Sequence, residues 1–307
     1  QDYGMASQNL SLAPAGVPTP AAVLEVLKPI TWFPPMWAML CGVVASAHPL
    51  AGQAWLVVAG VVLAGPLLCA ASQVVNDWFD REVDAINEPQ RPIPSGRLPG
   101  AWGLGIAIFW SLLSIGFALL LGPWVAAASL LGLALAWAYS APPLRLKENG
   151  WLSCTVCALC YEGLPWITGS TLFEPGSAPG TRTAACALLY SLGAIGIMML
   201  NDFKSIDGDR QLGLRSIPVQ LGAPRAARLA CGVMAAPQAL VVALLFAWSH
   251  ALQAGVVLAL LGVQCLLMRR WLRQPRELAP WYNATGVTLY VLGMMTTAWA
   301  LRLAATP

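Results

Sequence analysis

Residues 53–84 read QAWLVVAGVVLAGPLLCAASQVVNDWFDREVD and give the clearest indication of the fold class. Its first part, residues 53–75, is predominantly apolar and long enough to cross a bilayer as a helix, which takes about 20 residues. The apolar run passes without a break into an acidic segment that contains Asp77, Asp80 and Asp84. An apolar helix that ends in carboxylates predicts a membrane-embedded protein with a polar, functional site at one end of the helix.

The composition of the whole chain also favours a membrane protein. Of the 307 residues, 58% are hydrophobic and only 10% are charged, and the mean hydropathy is +0.65. A soluble domain carries about 25% charged residues, so a water-soluble fold is excluded, and the abundance of large apolar residues excludes disorder. The net charge of +3 is small and the basic residues are scattered, which excludes a nucleic-acid-binding protein.

The same length criterion, applied along the chain, predicts an all-α, polytopic membrane protein with about nine transmembrane helices. Residues 1–22 are interpreted as a flexible N-terminal tail and not as a signal peptide, because no basic region precedes an apolar core there. Residues 23–307 are predicted to form a single transmembrane domain. The predicted spans are approximately 30–48, 53–75, 101–121, 124–140, 151–172, 183–200, 226–248, 251–269 and 282–303.

The distribution of basic residues predicts the orientation of the chain. Fifteen of the 17 lysines and arginines fall on one side of the nine-span arrangement, and only Arg182 and Arg302 fall on the other. Basic residues in short loops mark the cytoplasmic side. The N-terminus and the acidic segment are therefore predicted to be cytoplasmic, and the C-terminus to lie on the opposite side.

The acidic segment recurs in the second half of the chain. Residues 76–84 (NDWFDREVD, the first motif) and residues 201–209 (NDFKSIDGD, the second motif) share the pattern N-D-x-x-[D/S]-x-x-x-D. An arginine and an Ile-Pro pair follow each copy. An internal repeat on this scale predicts two related halves that face a common central cavity.

The spacing within the motifs has a chemical use. Residues four apart lie on one face of a helix, so positions one, five and nine of each motif are predicted to line one helical face. Two such faces, opposed across a cavity, would form an oxygen-only site of the kind that Mg²⁺ prefers, and Mg²⁺ is usually completed by phosphate oxygens and water. Arginines and lysines near both motifs add groups that bind phosphate. Together these residues predict a site for a diphosphate.

Two other interpretations of the acids remain open. The aspartates could be solvated charges that pair with nearby arginines, which needs no functional explanation. They could also line a cation pathway, although ion conduction does not need basic residues at the same mouth. Acids at membrane depth are costly and usually functional, and two matching copies favour a binding site.

Several long stretches resemble the UbiA superfamily of intramembrane prenyltransferases, and within it the chlorophyll synthase branch. The resemblance covers nearly everything from residue 22 onward. The stretches that carry it are LKPITWFPPMWAMLCG (27–42), QVVNDWFDREVDAINEPQRPIPSGRLPG (73–100), YSAPPLRLKENGW (139–151), CYEGLPWITG (160–169) and NDFKSIDGDRQLGLRSIPVQLG (201–222). The resemblance implies a UbiA-type ring of nine helices around a lipid-accessible cavity.

The resemblance also implies an activity. The enzyme would transfer a C20 prenyl group from geranylgeranyl or phytyl diphosphate to the propionate carboxylate of bacteriochlorophyllide or chlorophyllide, with Mg²⁺ as cofactor. The location implied is a bacterial inner membrane, cytoplasmic or intracytoplasmic, with possible association with other pigment-biosynthesis or photosynthetic membrane proteins. The alternatives are prenyl transfer to an aromatic ring in quinone biosynthesis, a non-catalytic pigment carrier and a cation transporter.

Carried over by position, the resemblance assigns roles to individual residues. The magnesium site would be formed by Asn76, Asp80, Asp84, Asp202 and Asp209, and the four aspartates would act in catalysis. Ser205 stands where many superfamily members have an acid. Tyr139 would face the allylic cation through its ring, with an interfacial aromatic residue as the alternative. The predicted diphosphate-binding residues are Arg91, Arg145, Lys147, Lys204, Arg210 and Arg215.

The acceptor imposes few further requirements on the site. A propionate carboxylate is already ionised near neutral pH, so no general base is needed, and the two histidines fall in loops on the other side of the membrane. The candidates for a flat pigment pocket are Trp32, Phe33, Trp37, Trp78 and Trp166, together with the lone intramembrane acid Glu162. The alternatives are interfacial aromatic belts and a hydrogen bond of Glu162 within the helix bundle.

Overall fold

The computed structural model describes residues 16–304. Within this range the regular secondary structure is helical, apart from one isolated backbone bridge between Asn149 and Arg215. Most of the predicted tail lies outside the described residues. In the described part, the first helix begins at Pro20, where Thr19 accepts a hydrogen bond from the backbone N–H of Ala22 (3.3 Å).

The helices follow one another with short connections. In chain order they are α1 (Pro20–Leu27), α2 (Phe33–Ala45), α3 (Ala54–Val62), α4 (Ala70–Asn87), α5 (Trp102–Leu121), α6 (Pro123–Ser140), α7 (Gly150–Ala158), α8 (Leu164–Thr171), α9 (Thr181–Asn201), α10 (Ile206–Gln211), α11 (Ile217–Leu221), α12 (Ala223–Ala247), α13 (Ala251–Trp271) and α14 (Ala279–Ala304). Two π-helical segments connect consecutive helices: π1 (Leu63–Cys69) joins α3 to α4, and π2 (Leu159–Gly163) joins α7 to α8.

The prediction of a polytopic helical membrane protein is confirmed. In the described part of the chain, seven helical segments are long and apolar enough to cross a membrane. These are Ala54–Asn87, Trp102–Leu121, Pro123–Ser140, Thr181–Lys204, Ala223–Ala247, Ala251–Trp271 and Ala279–Ala304.

The two remaining predicted spans differ from long regular helices. Residues 30–48 contain only the 13-residue α2, because Pro34 and Pro35 occupy its first turn, where proline is tolerated but cannot extend a helix backwards. Residues 151–172 are built from α7, π2 and α8. The predicted number of nine spans is therefore approximate.

The two motifs lie at the same end of the bundle, which we call the acidic end. The backbone N–H of Gly150 donates to the carbonyl oxygen of Arg215 (3.0 Å), so the loops that follow α6 and α10 meet there. At the opposite end, His48 lies 3.3 Å from the Glu174 carboxylate, and Arg302 donates to the carbonyl oxygen of His48 (3.2 Å). Most of the ionic groups of the bundle therefore lie at the acidic end.

The central helices α2 and α8 approach each other backbone to backbone. A Cβ atom at Gly169 would overlap the carbonyl oxygen of Met39, and one at Gly42 would overlap the carbonyl oxygen of Trp166. Small residues allow this close approach between membrane helices. Because α8 continues from π2, this contact also fixes the position of π2 within the bundle.

We expect Gly169→Ala to destabilise the protein by roughly 1–3 kcal/mol, because the added methyl group must push two helices apart. The measurement is the loss of monodisperse protein in detergent on heating. Gly105→Ala is the matched control, since a Cβ at this glycine of α5 meets nothing within 4 Å and alanine favours the helix. Equal thermal stability of Gly169→Ala and the wild type would contradict the close packing of α2 and α8.

Candidate active site

The first motif lies on an uninterrupted helix, as predicted. The helix α4 runs to Asn87, so Asn76, Asp80 and Asp84 share one face of its last turns. The side-chain amide of Asn76 donates to Asp80 Oδ2 (3.0 Å). No glycine or proline interrupts residues 76–84, and the apolar helix therefore continues into the acidic segment.

Basic residues from the loop after α6 reach Asp80. Lys147 donates to Asp80 Oδ1, and Arg145 Nη2 lies 3.7 Å from the same oxygen. Burial lowers the pKa of the Lys147 ammonium, and its hydrogen bond to Asp80 offsets part of that effect. The structure thus brings two predicted diphosphate-binding residues to a predicted metal ligand.

Arg91 has a different environment from the predicted one. Its guanidinium contacts three carboxylates: Asp84 (2.8 Å), Glu88 (2.6 Å) and Asp77 (3.5 Å). A contact between Arg91 and diphosphate stays a prediction, because these acids already occupy the side chain. The sequence could indicate the charge of Arg91 but not its partners.

Lys28 belongs to the site, although sequence reasoning used it only for orientation. Its ammonium lies 2.5 Å from Asp77 Oδ1, and Asp77 is only 2% exposed. The other oxygen of this carboxylate, Oδ2, is buried and has no hydrogen-bond partner among the described residues. The ion pair ties the segment after α1 to α4. Asp77 precedes Asp84 by two helical turns and shares Arg91 with it, so this buried acid belongs to the same network of charges.

The prediction that the second motif forms one continuous helical face is wrong. The helix α9 ends at Asn201, a 3₁₀ turn covers Asp202–Lys204, and α10 begins only at Ile206. Ser205 leaves the helical region (φ −108°, ψ 3°), and Gly208 in the next turn lowers helix propensity.

Ser205 nevertheless organises the second motif. Its hydroxyl lies 2.9 Å from Asp209 Oδ2 and 3.1 Å from the carbonyl oxygen of Asp202. The serine thus links the Asp209 carboxylate to the backbone of Asp202 across the break between the helices. Ser205 therefore holds the Asp209 carboxylate in place.

A series of polar contacts connects the two motifs through α6 and α7. It consists of Asn76 with Ser140 (3.4 Å), Tyr139 with Ser153 (3.1 Å) and Cys154 with Asp202 (3.7 Å). Tyr139 and Ser140 are neighbours on α6, and Ser153 and Cys154 are neighbours on α7. Tyr139 therefore lies between the acids of the two halves, which its predicted role requires.

The remaining predicted phosphate-binding residues lie at the rim of the acidic end. Lys204, Arg210 and Arg215 are exposed. Arg215 and Arg145 line one polar pocket, together with Asn149 and Gln220. Basic side chains from both halves therefore border the same opening.

The predicted pigment-pocket residues each have a partner in the structure, and a pocket formed by them stays a prediction. Trp32 donates to the carbonyl oxygen of Leu27 (2.8 Å), Trp37 donates to that of Val291 (2.9 Å), Trp78 lies 4.4 Å beneath the Arg81 guanidinium, and Trp166 stacks on Tyr190 (5.7 Å). Phe33 stacks on Trp37 (5.8 Å). Glu162 is buried in the bundle and its Oε2 has no hydrogen-bond partner within residues 16–304.

An apolar cavity lies inside the bundle, in a position that the sequence did not reveal. Segments α2, π1, α6, π2 and α8 line it, with Met39, Leu68, Gly132 and Leu164 among its apolar contacts. Tyr161 and Cys69 are among its few polar lining groups. The cavity is lined mainly by apolar groups, whereas the acidic end carries the charged side chains of the first motif and of the loop after α6.

The donor set at the acidic end fits Mg²⁺ that is shared with a substrate. Asp80 and Asp84 supply carboxylate oxygens one helical turn apart, and Asn76 supplies an amide oxygen. Within residues 16–304, no group of three or more His, Cys, Asp or Glu side chains is close enough to hold a metal alone. Mg²⁺ does not need such a group, because it is commonly bound by one or two carboxylates together with substrate phosphates and water.

Fold and site together define an integral, multi-pass membrane protein with two acidic motifs and basic rim residues at one end and an apolar cavity in the bundle. The chain belongs to the UbiA prenyltransferase family, which matches residues 32–303. It is therefore an enzyme of the prenyltransferase class.

Two curated relatives are similar over almost their whole length. The bacteriochlorophyll synthase 33 kDa chain of Cereibacter sphaeroides is 56% identical over 297 residues, which cover 96% of this chain and 98% of the relative. The bacteriochlorophyll synthase 33 kDa chain of Rhodobacter capsulatus is 53% identical over 300 residues, which cover 97% and 99%. The similarity thus extends over nearly the full length of this chain and of both relatives.

A solved structure has the same fold. The UbiA homolog from Archaeoglobus fulgidus bound to GPP and Mg²⁺ superimposes with a TM-score of 0.69, covering 89% of this chain and 99% of the homolog. The identity of the two chains is 18%. At this identity the likeness concerns the fold alone.

Proposed function

We propose that this prenyltransferase esterifies the propionate carboxylate of bacteriochlorophyllide with a C20 prenyl diphosphate, geranylgeranyl or phytyl, and releases diphosphate. The observation that carries the proposal is the 56% identity, over nearly the full chain, to a protein named bacteriochlorophyll synthase. The acidic end and the apolar cavity supply the two environments that a prenyl diphosphate needs. The absence of histidine from the acidic end, within the described residues, is compatible with an acceptor that arrives ionised.

The acids of both motifs would hold the cofactor. Asn76, Asp80 and Asp84 would bind Mg²⁺ from the first half, and Asp202 and Asp209 from the second. When bound there, Mg²⁺ offsets the negative charge that develops on the diphosphate as the allylic C–O bond breaks.

The basic residues have a second task in this proposal. Lys147 and Arg145 pair with Asp80 in the structure. They lie close enough to the acids to turn towards a diphosphate that arrives with its cation. Paired charges of this kind compensate each other before the substrate binds, and afterwards the basic groups donate hydrogen bonds to its phosphates.

The bond changes balance without a protein base. A carboxylate oxygen of the acceptor forms a bond to the first carbon of the prenyl chain, while the bond from that carbon to the diphosphate oxygen breaks. The electron pair of the broken bond leaves with diphosphate. The ring of Tyr139, between the two motifs, would stabilise the positive charge on the allylic carbon.

The test of this proposal is product identification. Membranes that contain the protein are incubated with bacteriochlorophyllide or chlorophyllide and with each of the two diphosphates, and the pigments are analysed by mass spectrometry. We expect a mass increase that corresponds to one C20 chain on the propionate of bacteriochlorophyllide. Prenylation of an added aromatic quinone precursor, without pigment esters, would contradict the proposal.

The proposal includes a bacterial inner membrane location, with the N-terminus and the acidic end in the cytoplasm, because the basic excess lies at that end. We expect a cysteine placed at Gln90 to react with an impermeant maleimide only from the cytoplasmic side. One placed at Ser177 should react only from the other side. Both positions are exposed. The wild-type protein is the control, because it shows how much the native cysteines are labelled. Reversed accessibility of the two sites would overturn the orientation.

A further inference from the structure

The apolar cavity carries an oriented polar group that the reaction described so far does not use. Tyr161 lies on π2 and lines the cavity opposite π1, which contributes Cys69. Gln73 Nε2, on α4, donates to the Tyr161 hydroxyl oxygen (2.9 Å). Single-turn π segments often occur at functional sites, and here two of them flank the same cavity.

The position of this hydroxyl relates it to the acidic end. Gln73 precedes Asn76 by three residues and Asp80 by seven on one helical face. With a rise of 1.5 Å per residue, Gln73 lies about 4.5 Å deeper along the helix axis than Asn76. The Tyr161 hydroxyl, which Gln73 holds, thus lies where the acidic end meets the apolar cavity.

The hydrogen bonds of Tyr161 leave its proton available. A tyrosine hydroxyl accepts hydrogen bonds and also donates one. The Gln73 amide (2.9 Å) and the Cys69 thiol (3.8 Å) both donate to its oxygen, so neither of them accepts its proton. Sulfur is a weak hydrogen-bond partner, so an oxygen anion in the cavity would be a far stronger acceptor for this proton.

We propose that Tyr161 is the acceptor-binding residue, and that its hydroxyl donates to one oxygen of the acceptor carboxylate while the other oxygen attacks the prenyl carbon. This inference rests on the proposed function, since it requires a carboxylate acceptor. The prenyl chain offers no hydrogen-bond acceptor, and the diphosphate has the cationic groups at the rim. The hydrogen bond orients the nucleophile and no proton is transferred, so the reaction balances as before.

The test compares two single-atom changes. Tyr161→Phe removes the hydroxyl and keeps the ring. Tyr282→Phe is the matched control, because its hydroxyl is buried without a hydrogen-bond partner in the described part of the chain and its ring stacks on Trp271 in the other half of the bundle. Both proteins are purified in detergent, and kcat and KM are measured separately for bacteriochlorophyllide and for geranylgeranyl diphosphate.

We expect Tyr161→Phe to lower kcat/KM for the pigment by roughly 10- to 100-fold, as for loss of a hydrogen bond to a charged group, with an unchanged KM for the diphosphate. Tyr282→Phe should match the wild type. An equal rise in both KM values would assign the hydroxyl to the donor and overturn the inference, and so would an unchanged pigment kcat/KM.

A binding measurement without diphosphate separates this inference from the proposed function. Pigment fluorescence is titrated against purified protein, with bacteriochlorophyllide and with its propionate methyl ester. We expect Tyr161→Phe to weaken binding of the free acid roughly 10-fold or more and to change binding of the ester much less. Failure of the proposed function would appear as absence of pigment turnover in the wild type, and would overturn both. Normal binding and turnover in Tyr161→Phe would overturn this inference alone.

Discussion

Replacement of Asp80 or Asp84 by asparagine is expected to lower turnover by at least roughly 100-fold while the protein still inserts and purifies. Each change removes one negative charge from the face that would hold the cation, and electrostatic groups aimed at developing charge contribute roughly 100- to 1,000-fold to rate. Asparagine retains an oxygen at the same position, so the loss reports charge and not shape. The measurement is ester formation by the purified variants at saturating pigment and several Mg²⁺ concentrations.

The chain offers a matched control within the second motif. Asp207 is an acid at one of the variable positions of that motif, and its side chain is 66% exposed and pairs with Arg276. We expect Asp207→Asn to keep turnover within about twofold of the wild type, since an exposed ion pair contributes little. Normal turnover of Asp80→Asn at ordinary Mg²⁺ would contradict the metal assignment.

The two substitutions in the first motif differ in what else they disturb. Asp84 pairs with Arg91, which is itself tied to Glu88 and Asp77. Asp84→Asn therefore changes one of the three carboxylates that Arg91 contacts in a partly buried network. Elution as a monodisperse species therefore has to be measured for both variants, because Asp80→Asn likewise removes the carboxylate that pairs with Lys147 and Arg145.

The sequence predicted the first half of the site better than the second. Residues 76–84 continue an apolar helix without a breaker, so helical periodicity correctly placed Asn76, Asp80 and Asp84 on one face. The same periodicity failed at residues 201–209, because the chain leaves the helix at Ser205. A repeat in sequence therefore did not imply a repeat in local conformation.

Side-chain partners across the bundle were beyond the reach of sequence patterns. Trp37 donates to Val291, a residue 254 positions away, and nothing local to either residue indicates that contact. Aromatic residues are common at membrane interfaces, so their number alone could not locate a pocket. The sequence only weakly indicated a role for Gln73, which donates to Tyr161. Its spacing places Gln73 on the helical face of Asn76 and Asp80, one turn before Asn76.

The acceptor's chemistry gives the prediction with the sharpest outcome. Conversion of the propionate to its methyl ester is expected to abolish prenyl transfer, because the nucleophilic oxygen is lost while the macrocycle stays the same. The measurement is product mass spectrometry with the free acid and the ester, at equal concentrations and with the same protein preparation. The free acid is its own control for pigment delivery and for donor quality.

The same chemistry determines the pH dependence. Prenylation of an aromatic ring must eventually remove a ring proton, whereas an ionised carboxylate needs no base. The rate with the free acid should therefore show no catalytic-base titration between about pH 6.5 and 8.5, the range where a base tuned for catalysis would appear. It should instead depend steeply on free Mg²⁺, because the acids of both motifs act through the ion. Prenylation of the methyl ester on its ring, at a rate comparable to that of the free acid, would show that esterification is the wrong reaction.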